Sequence, residues 1–99
     1  MAELIWSIPS LRQLDEILDY IALDKPLAAK RVAKLVFDST ENVERFRLIG
    51  RRIPEYPVVN YRQLWISPCW IYYRIAGDDV FILHVRRAES VFRIENLEE

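Results

Sequence analysis

Three segments dense in aromatic and β-branched residues, 61–66, 70–76 and 80–86, follow one another with only three residues between them. Ser67, Pro68 and Cys69 fill the first gap, and Gly77, Asp78 and Asp79 the second. Connections this short cannot cross over a sheet, so the strands must pair consecutively and antiparallel as a meander. Alternation sorts Arg62, Leu64 and Ile66 from Tyr61, Gln63 and Trp65, and Ile71, Tyr73 and Ile75 from Trp70, Tyr72 and Arg74. Neither set is cleanly polar, so both faces of the meander must meet something.

The N-terminal half supplies a cover for one face. Leu4, Ile5 and Trp6 predict a short strand, Ser7 an N-cap, and Pro9 a first helical turn. Ile8, Leu11, Leu14, Ile17, Leu18 and Ile21 recur at three- and four-residue spacing, which predicts an amphipathic helix from about 8 to 22. After Asp24, Lys25 and Pro26, a second stripe runs through Ala28, Ala29, Val32, Leu35, Val36, Val43 and Phe46. Two helices joined so tightly form a hairpin. Gly50, Pro54 and Pro57 then predict a loop that exposes Arg51 and Arg52. The expected fold is α+β: a two-helix hairpin packed on a four-stranded, mainly antiparallel sheet in the order β-α-α-β-β-β. The sheet face opposite the helices, rich in aromatics and arginines, is expected to be an exposed partner-binding surface.

Ninety-nine residues with 52% hydrophobic content suffice for one domain and not for two separately packed cores. The acidic tail, 94–99, is expected to fray and is assigned no role. No apolar run passes Trp70, Ile71, Tyr72 and Tyr73 before Arg74 breaks it, so no membrane span is expected. Glu3, Arg12 and Asp15 interrupt any secretory leader, and a lone Cys69 forms no internal disulfide, so a reducing cytoplasm is expected. One cysteine and one histidine fall short of a structural zinc site, and two glycines exclude glycine-paired nucleotide loops. No metal or cofactor is expected.

The net charge of -1 hides an asymmetry: residues 1–44 carry -3, residues 45–93 carry +5 and residues 94–99 carry -3. Every cation of the middle block is an arginine: Arg45, Arg47, Arg51, Arg52, Arg62, Arg74, Arg86, Arg87 and Arg93. The guanidinium fork pairs with carboxylate or phosphate and stacks on aromatics, so the block suits an anionic partner. Arg62 and Arg74 also have a structural alternative, stacking on Tyr61, Tyr72 or Trp70 and pairing with Glu55 or Asp78.

Particular residues in this order carry a family likeness. They are Trp6 and Ser7, then Leu14, Asp15, Glu16, Ile17, Tyr20 and Ile21, then Pro26, Ala28 and Ala29. More specific are Gly50, Arg51, Ile53, Pro54 and Glu55, then Tyr61, Arg62 and Leu64, then Ile71, Tyr72, Tyr73 and Arg74, then Ile82, Leu83, His84 and Val85. From about residue 4 to 87 the chain resembles the ParE/RelE superfamily of toxins from type II toxin–antitoxin modules, and its ParE branch in particular. The resemblance implies a cytoplasmic toxin held in a hetero-oligomer by a cognate antitoxin, ParD-like or another small DNA-binding protein. ParE members inhibit DNA gyrase, whereas RelE members cut messenger RNA on the ribosome.

The residues favour the first branch. RNA cleavage without a metal needs a base for the 2′-hydroxyl, an acid for the leaving oxygen and cations for the transition state. RelE-like toxins are similar to this chain least near its end, where Phe92 stands close to their tyrosine and has no proton to exchange. His84 could titrate near neutrality, but it lies in an apolar strand, where a sheet histidine is the expectation. Cys69 has no base beside it in sequence and is expected to be an ordinary turn residue. A sequence pI near 5.9 is also unusual for a protein wedged against ribosomal RNA. The expectation is a non-enzymatic gyrase inhibitor with no catalytic residues. Its partner contacts are expected at Arg51, Arg52, Arg62, Arg74, Arg86 and Arg87, with Trp65 and Trp70 as anchors, and the antitoxin's helix in the groove beside the two helices. The alternative is a RelE-type messenger RNA endonuclease using Arg62, Arg74, His84 and Arg87; an inactive relative that only binds antitoxin is a third case.

Overall fold

The computed structural model describes residues 3–54, 56 and 60–89. The expectations placed on Glu55, Phe92 and the acidic tail lie outside the described residues. Strand β1 is Leu4–Trp6, helix α1 Ile8–Ala22 and helix α2 Pro26–Arg45. Strands β2 (Arg51–Arg52), β3 (Tyr61–Ile66), β4 (Cys69–Ala76) and β5 (Asp79–Arg87) complete the chain order. The spatial order is β1-β5-β4-β3-β2, with β1 parallel to β5 and every other pair antiparallel.

The sheet therefore has five strands rather than four. Arg51 and Arg52, expected in a loop, pair with Gln63 and Arg62 as a two-residue edge strand, both side chains remaining exposed. Two residues are too few to show any periodicity, and Pro54 ends the pairing where a proline must. Strands β4 and β5 each begin one residue earlier than expected, so the hairpin turns shrink to Ser67-Pro68 and Gly77-Asp78. Gly77 takes φ 61°, the left-handed conformation that a tight hairpin needs. Cys69 is consequently a buried strand residue in the core, not a turn residue.

Helix α1 starts where the sequence places it because Ser7 is extended and its hydroxyl accepts the Ser10 N–H at 3.1 Å. The same helix closes the open edge of β5 beyond the three residues of β1. The Ser10 hydroxyl lies 3.2 Å from the Ile82 carbonyl, the Ser7 hydroxyl 3.4 Å from that of Leu83, and Gln13 Oε1 accepts the Val85 N–H at 2.8 Å. Buried polar groups are thus satisfied where the parallel pairing stops.

Helices α1 and α2 cover one sheet face. Leu14, Ile17, Val36 and Val43 meet Ile66, Cys69, Ile71, Tyr73, Val80, Ile82 and Val85 in the main core. The opposite face is not wholly open as expected. Ile53 and Tyr56, from the segment after β2, pack with Tyr72, Leu83, Tyr61, Trp70 and Phe81 in a second cluster where Tyr72 and Ile53 are fully buried. An irregularity in β5 builds this cluster: Tyr72 opposes His84 while Tyr73 opposes Ile82, so Leu83 is skipped in the register and joins the outer side.

Candidate partner-binding surface

The eight expected contact residues separate into two groups by register. Opposed residues of an antiparallel pair share a face. Arg51 opposite Gln63, Trp65 opposite Trp70, and Arg74 opposite both Tyr61 and Phe81 therefore lie on the outer face, as does Arg86 opposite Trp70. Arg52 and Arg62 share the helix side with Tyr73, and Arg87, opposite Cys69, also points there.

On the outer face arginines stack on rings. Arg74 lies 4.4 Å from the Phe81 ring centroid, and Arg86 sits over Trp70 and Tyr72 while donating from Nε to the Tyr72 hydroxyl at 2.9 Å. Trp65 and Trp70 pack against each other at 5.1 Å, and Trp65 remains 45% exposed. Asp79, opposite Ala76 at the start of β5, is the one acidic strand position described on this face, and its Oδ1 accepts the Glu3 N–H at 3.1 Å. The stacking anticipated for Arg74 is present with a different ring, and Asp78 pairs with Arg47, which was not singled out in the sequence, at 3.4 Å.

On the helix side Arg62 and Arg87 contact the framework of the fold. Arg62 Nη1 donates to the Gly50 carbonyl at 2.7 Å, while the Gly50 N–H donates to the Tyr73 hydroxyl at 2.8 Å and that hydroxyl donates to the Arg47 carbonyl at 2.8 Å. Burial pushes the Tyr73 phenol up, against the Gly50 N–H and Arg62, which pull it down. The group stays protonated and able to donate. A Cβ on Gly50 would lie 2.7 Å from the Tyr73 hydroxyl and 2.9 Å from the Gln63 carbonyl, so only glycine fits. Arg87 stacks on Tyr20 of α1 at 4.4 Å and pairs with Glu89 at 3.1 Å.

The four residues a nuclease would need are dispersed. Arg74 and His84 belong to the outer side, Arg62 and Arg87 to the helix side. His84 is buried against Tyr72 at 5.8 Å, and desolvation, then Arg86, pushes its pKa down to about 4, so it is neutral near pH 7. Burial, then Glu89, pushes the Cys69 thiol up to about 11, despite Arg87, so it holds no thiolate. Among the described residues no three His, Cys, Asp or Glu side chains are grouped to hold a metal.

The helical hairpin keeps large apolar side chains in solvent, including Ile8, Leu11, Leu23, Leu27 and Leu35. Ile8, Leu11 and Leu35 belong to the stripes expected to be buried; the hairpin packs on the sheet through the deeper Leu14, Ile17, Val36 and Val43 instead. Phe46 also leaves its stripe: α2 ends at Arg45, Phe46 adopts φ -119° and ψ 74°, and its ring is 56% exposed beside Leu48 and Ile49. Among the described helices none is long and apolar enough to cross a membrane.

Residues 4–92 match the family model described as the ParE toxin of type II toxin–antitoxin systems. The chain belongs to the ParE/RelE toxin superfamily. Family membership also supports a non-enzymatic role for this ParE-type chain. Toxin RelE2 of Caulobacter vibrioides is 37% identical over 92 residues, which span 89% of this chain and 97% of that protein. A chain from the chromosomal ParDE system of P. aeruginosa shares the fold at a TM-score of 0.76 and 22% identity, covering 90% of this chain and 98% of the other.

Proposed function

We propose that this ParE/RelE-family toxin stops growth by binding DNA gyrase and blocking its handling of DNA, and that a cognate antitoxin neutralises it. The observation that carries the reading is the dispersal of the candidate nuclease groups. Arg62 is tied to the Gly50 carbonyl, Arg87 stacks on α1, and His84 is buried and neutral, so the four described candidates do not bring an acid, a base and a cation together on one phosphate. What the surface offers instead is occupancy: ring-stacked arginines and a half-exposed tryptophan, residue types that anchor protein interfaces.

In this account the antitoxin covers the apolar side chains exposed along α1 and α2, an amphipathic segment laying its apolar face against Ile8, Leu11 and Leu35. Arg51, Arg52, Arg74, Arg86, Trp65 and Trp70 serve partner contact, while Arg62 and Arg87 hold the framework that presents them.

The test is plasmid supercoiling by purified gyrase, titrated with antitoxin-free toxin whose folding is checked by circular dichroism. Dose-dependent loss of supercoiling, or trapped cleaved DNA, reversed by antitoxin, is the expected result. Unaffected gyrase alongside cleaved messenger RNA on translating ribosomes would overturn it.

A further inference from the structure

The connection between α2 and β2 is built unlike an ordinary surface turn. Its backbone is clamped from below: Tyr73 holds the Arg47 carbonyl and the Gly50 N–H, and Arg62 holds the Gly50 carbonyl. Its flank is fixed as well, since Arg47 Nη1 donates to the Asp78 carbonyl at 2.9 Å. Yet Phe46, Leu48 and Ile49 stand 56%, 69% and 55% exposed and line a shallow open recess with Arg47. Arg45, Arg51 and Arg52 flank them along the chain, all exposed, and no acidic residue occurs from 45 to 54, the one acid seen against the turn among the described residues being Asp78 paired with Arg47. Three large apolar side chains held in water on a rigid backbone gain nothing for the free fold. They are pre-ordered for contact, which lowers the entropy lost on binding.

We propose that this 45–52 turn is the toxin's target-docking element, and that it seats on a protein surface presenting an apolar patch ringed by carboxylates. Charge complementarity selects the occupant: an apolar turn flanked by exposed arginines fits an apolar patch bordered by carboxylates. Of the three apolar side chains only Phe46 has a ring to stack on a base, and the aliphatic Leu48 and Ile49 favour a protein surface over a nucleic acid strand. Tyr73 and Arg62 are positioning residues, setting the turn without touching the partner. The inference rests on the reading that the toxin acts by occupying a protein target.

Two variants test it, Leu48→Ser with Ile49→Ser, and Arg45→Glu with Arg51→Glu; all four side chains are exposed, so thermal melting should stay at the wild-type value. Each is measured for inhibition of gyrase supercoiling, for growth arrest on induced expression, and for affinity to antitoxin. The expected result is that about ten-fold more of either variant is needed for half-inhibition, as for loss of interface anchors, with growth arrest weakened and antitoxin affinity unchanged. Full potency in both assays overturns the proposal, as does lost antitoxin affinity with potency kept, which would give the turn to the antitoxin. If wild-type toxin arrests growth but spares gyrase, the gyrase reading falls and growth arrest alone judges the turn. Wild-type protein without either effect overturns both.

Discussion

At the scale of single residues, the most constrained position is Gly50, because two side chains and a neighbouring strand carbonyl converge on it. Gly50→Ala puts a methyl where the Tyr73 ring and the Gln63 carbonyl already stand, so the clamp must open. We expect a loss of about 1–3 kcal/mol in denaturant unfolding, the usual range for overpacking. An unchanged midpoint would mean that the turn shifts freely. His84 makes a second, pH-dependent case. Its folded pKa, about 4, lies below the ordinary 6.5, so between these values the unfolded chain binds the extra proton. The stability it contributes is complete above pH 6.5 and falls as the pH drops towards 4. His84→Phe should flatten the slope of stability between pH 7 and 5; parallel curves for variant and wild type would contradict the assignment.

At the scale of elements, the start of α1 does double service, capping its own helix and closing the edge of β5. Ser7→Ala removes the acceptor of the Ser10 N–H, and a loss of about 1 kcal/mol is expected from the cap alone, read as a lower urea midpoint. The hairpin and the meander were legible in the sequence because their signals are periodic: Leu14 and Ile17 at helical spacing, Ile71 and Tyr73 at strand spacing, Gly77 at a tight turn. Strand β2 was not, since Arg51 and Arg52 owe their conformation to Gln63 and Arg62 on β3 and to no pattern of their own. The sorting of the arginines escaped for a similar reason. Arg74 meets Phe81, and Arg86 meets Tyr72, through pairing across strands and the skipped residue Leu83, which spacing along one strand does not encode. Phe46 was misplaced by continuing a stripe one residue past the helix. The repeated arginines and the Gly50 motif draw attention to the turn before β2, although Tyr73, whose hydroxyl holds that turn, enters the sequence reading only through strand alternation and the family likeness.

At the scale of the whole molecule, the sheet is held between a full helical cover and a partial one, with β4 at its centre. Cys69 opens that strand, fully buried and with its thiol pushed up to about 11, so an alkylating reagent at pH 8 should reach it only when the fold opens. Modification by iodoacetamide is expected to track global unfolding as urea rises; fast reaction in native buffer would show that β4 frays on its own. A buried, neutral centre and an exterior of stacked arginines and stranded apolar side chains together describe a protein that works by contact. The most direct test of that claim is the topology of a reporter plasmid in cells after the toxin is induced. The plasmid is expected to lose negative supercoiling before growth stops; growth arrest with supercoiling held at its starting level would mean that the toxin does not act on gyrase.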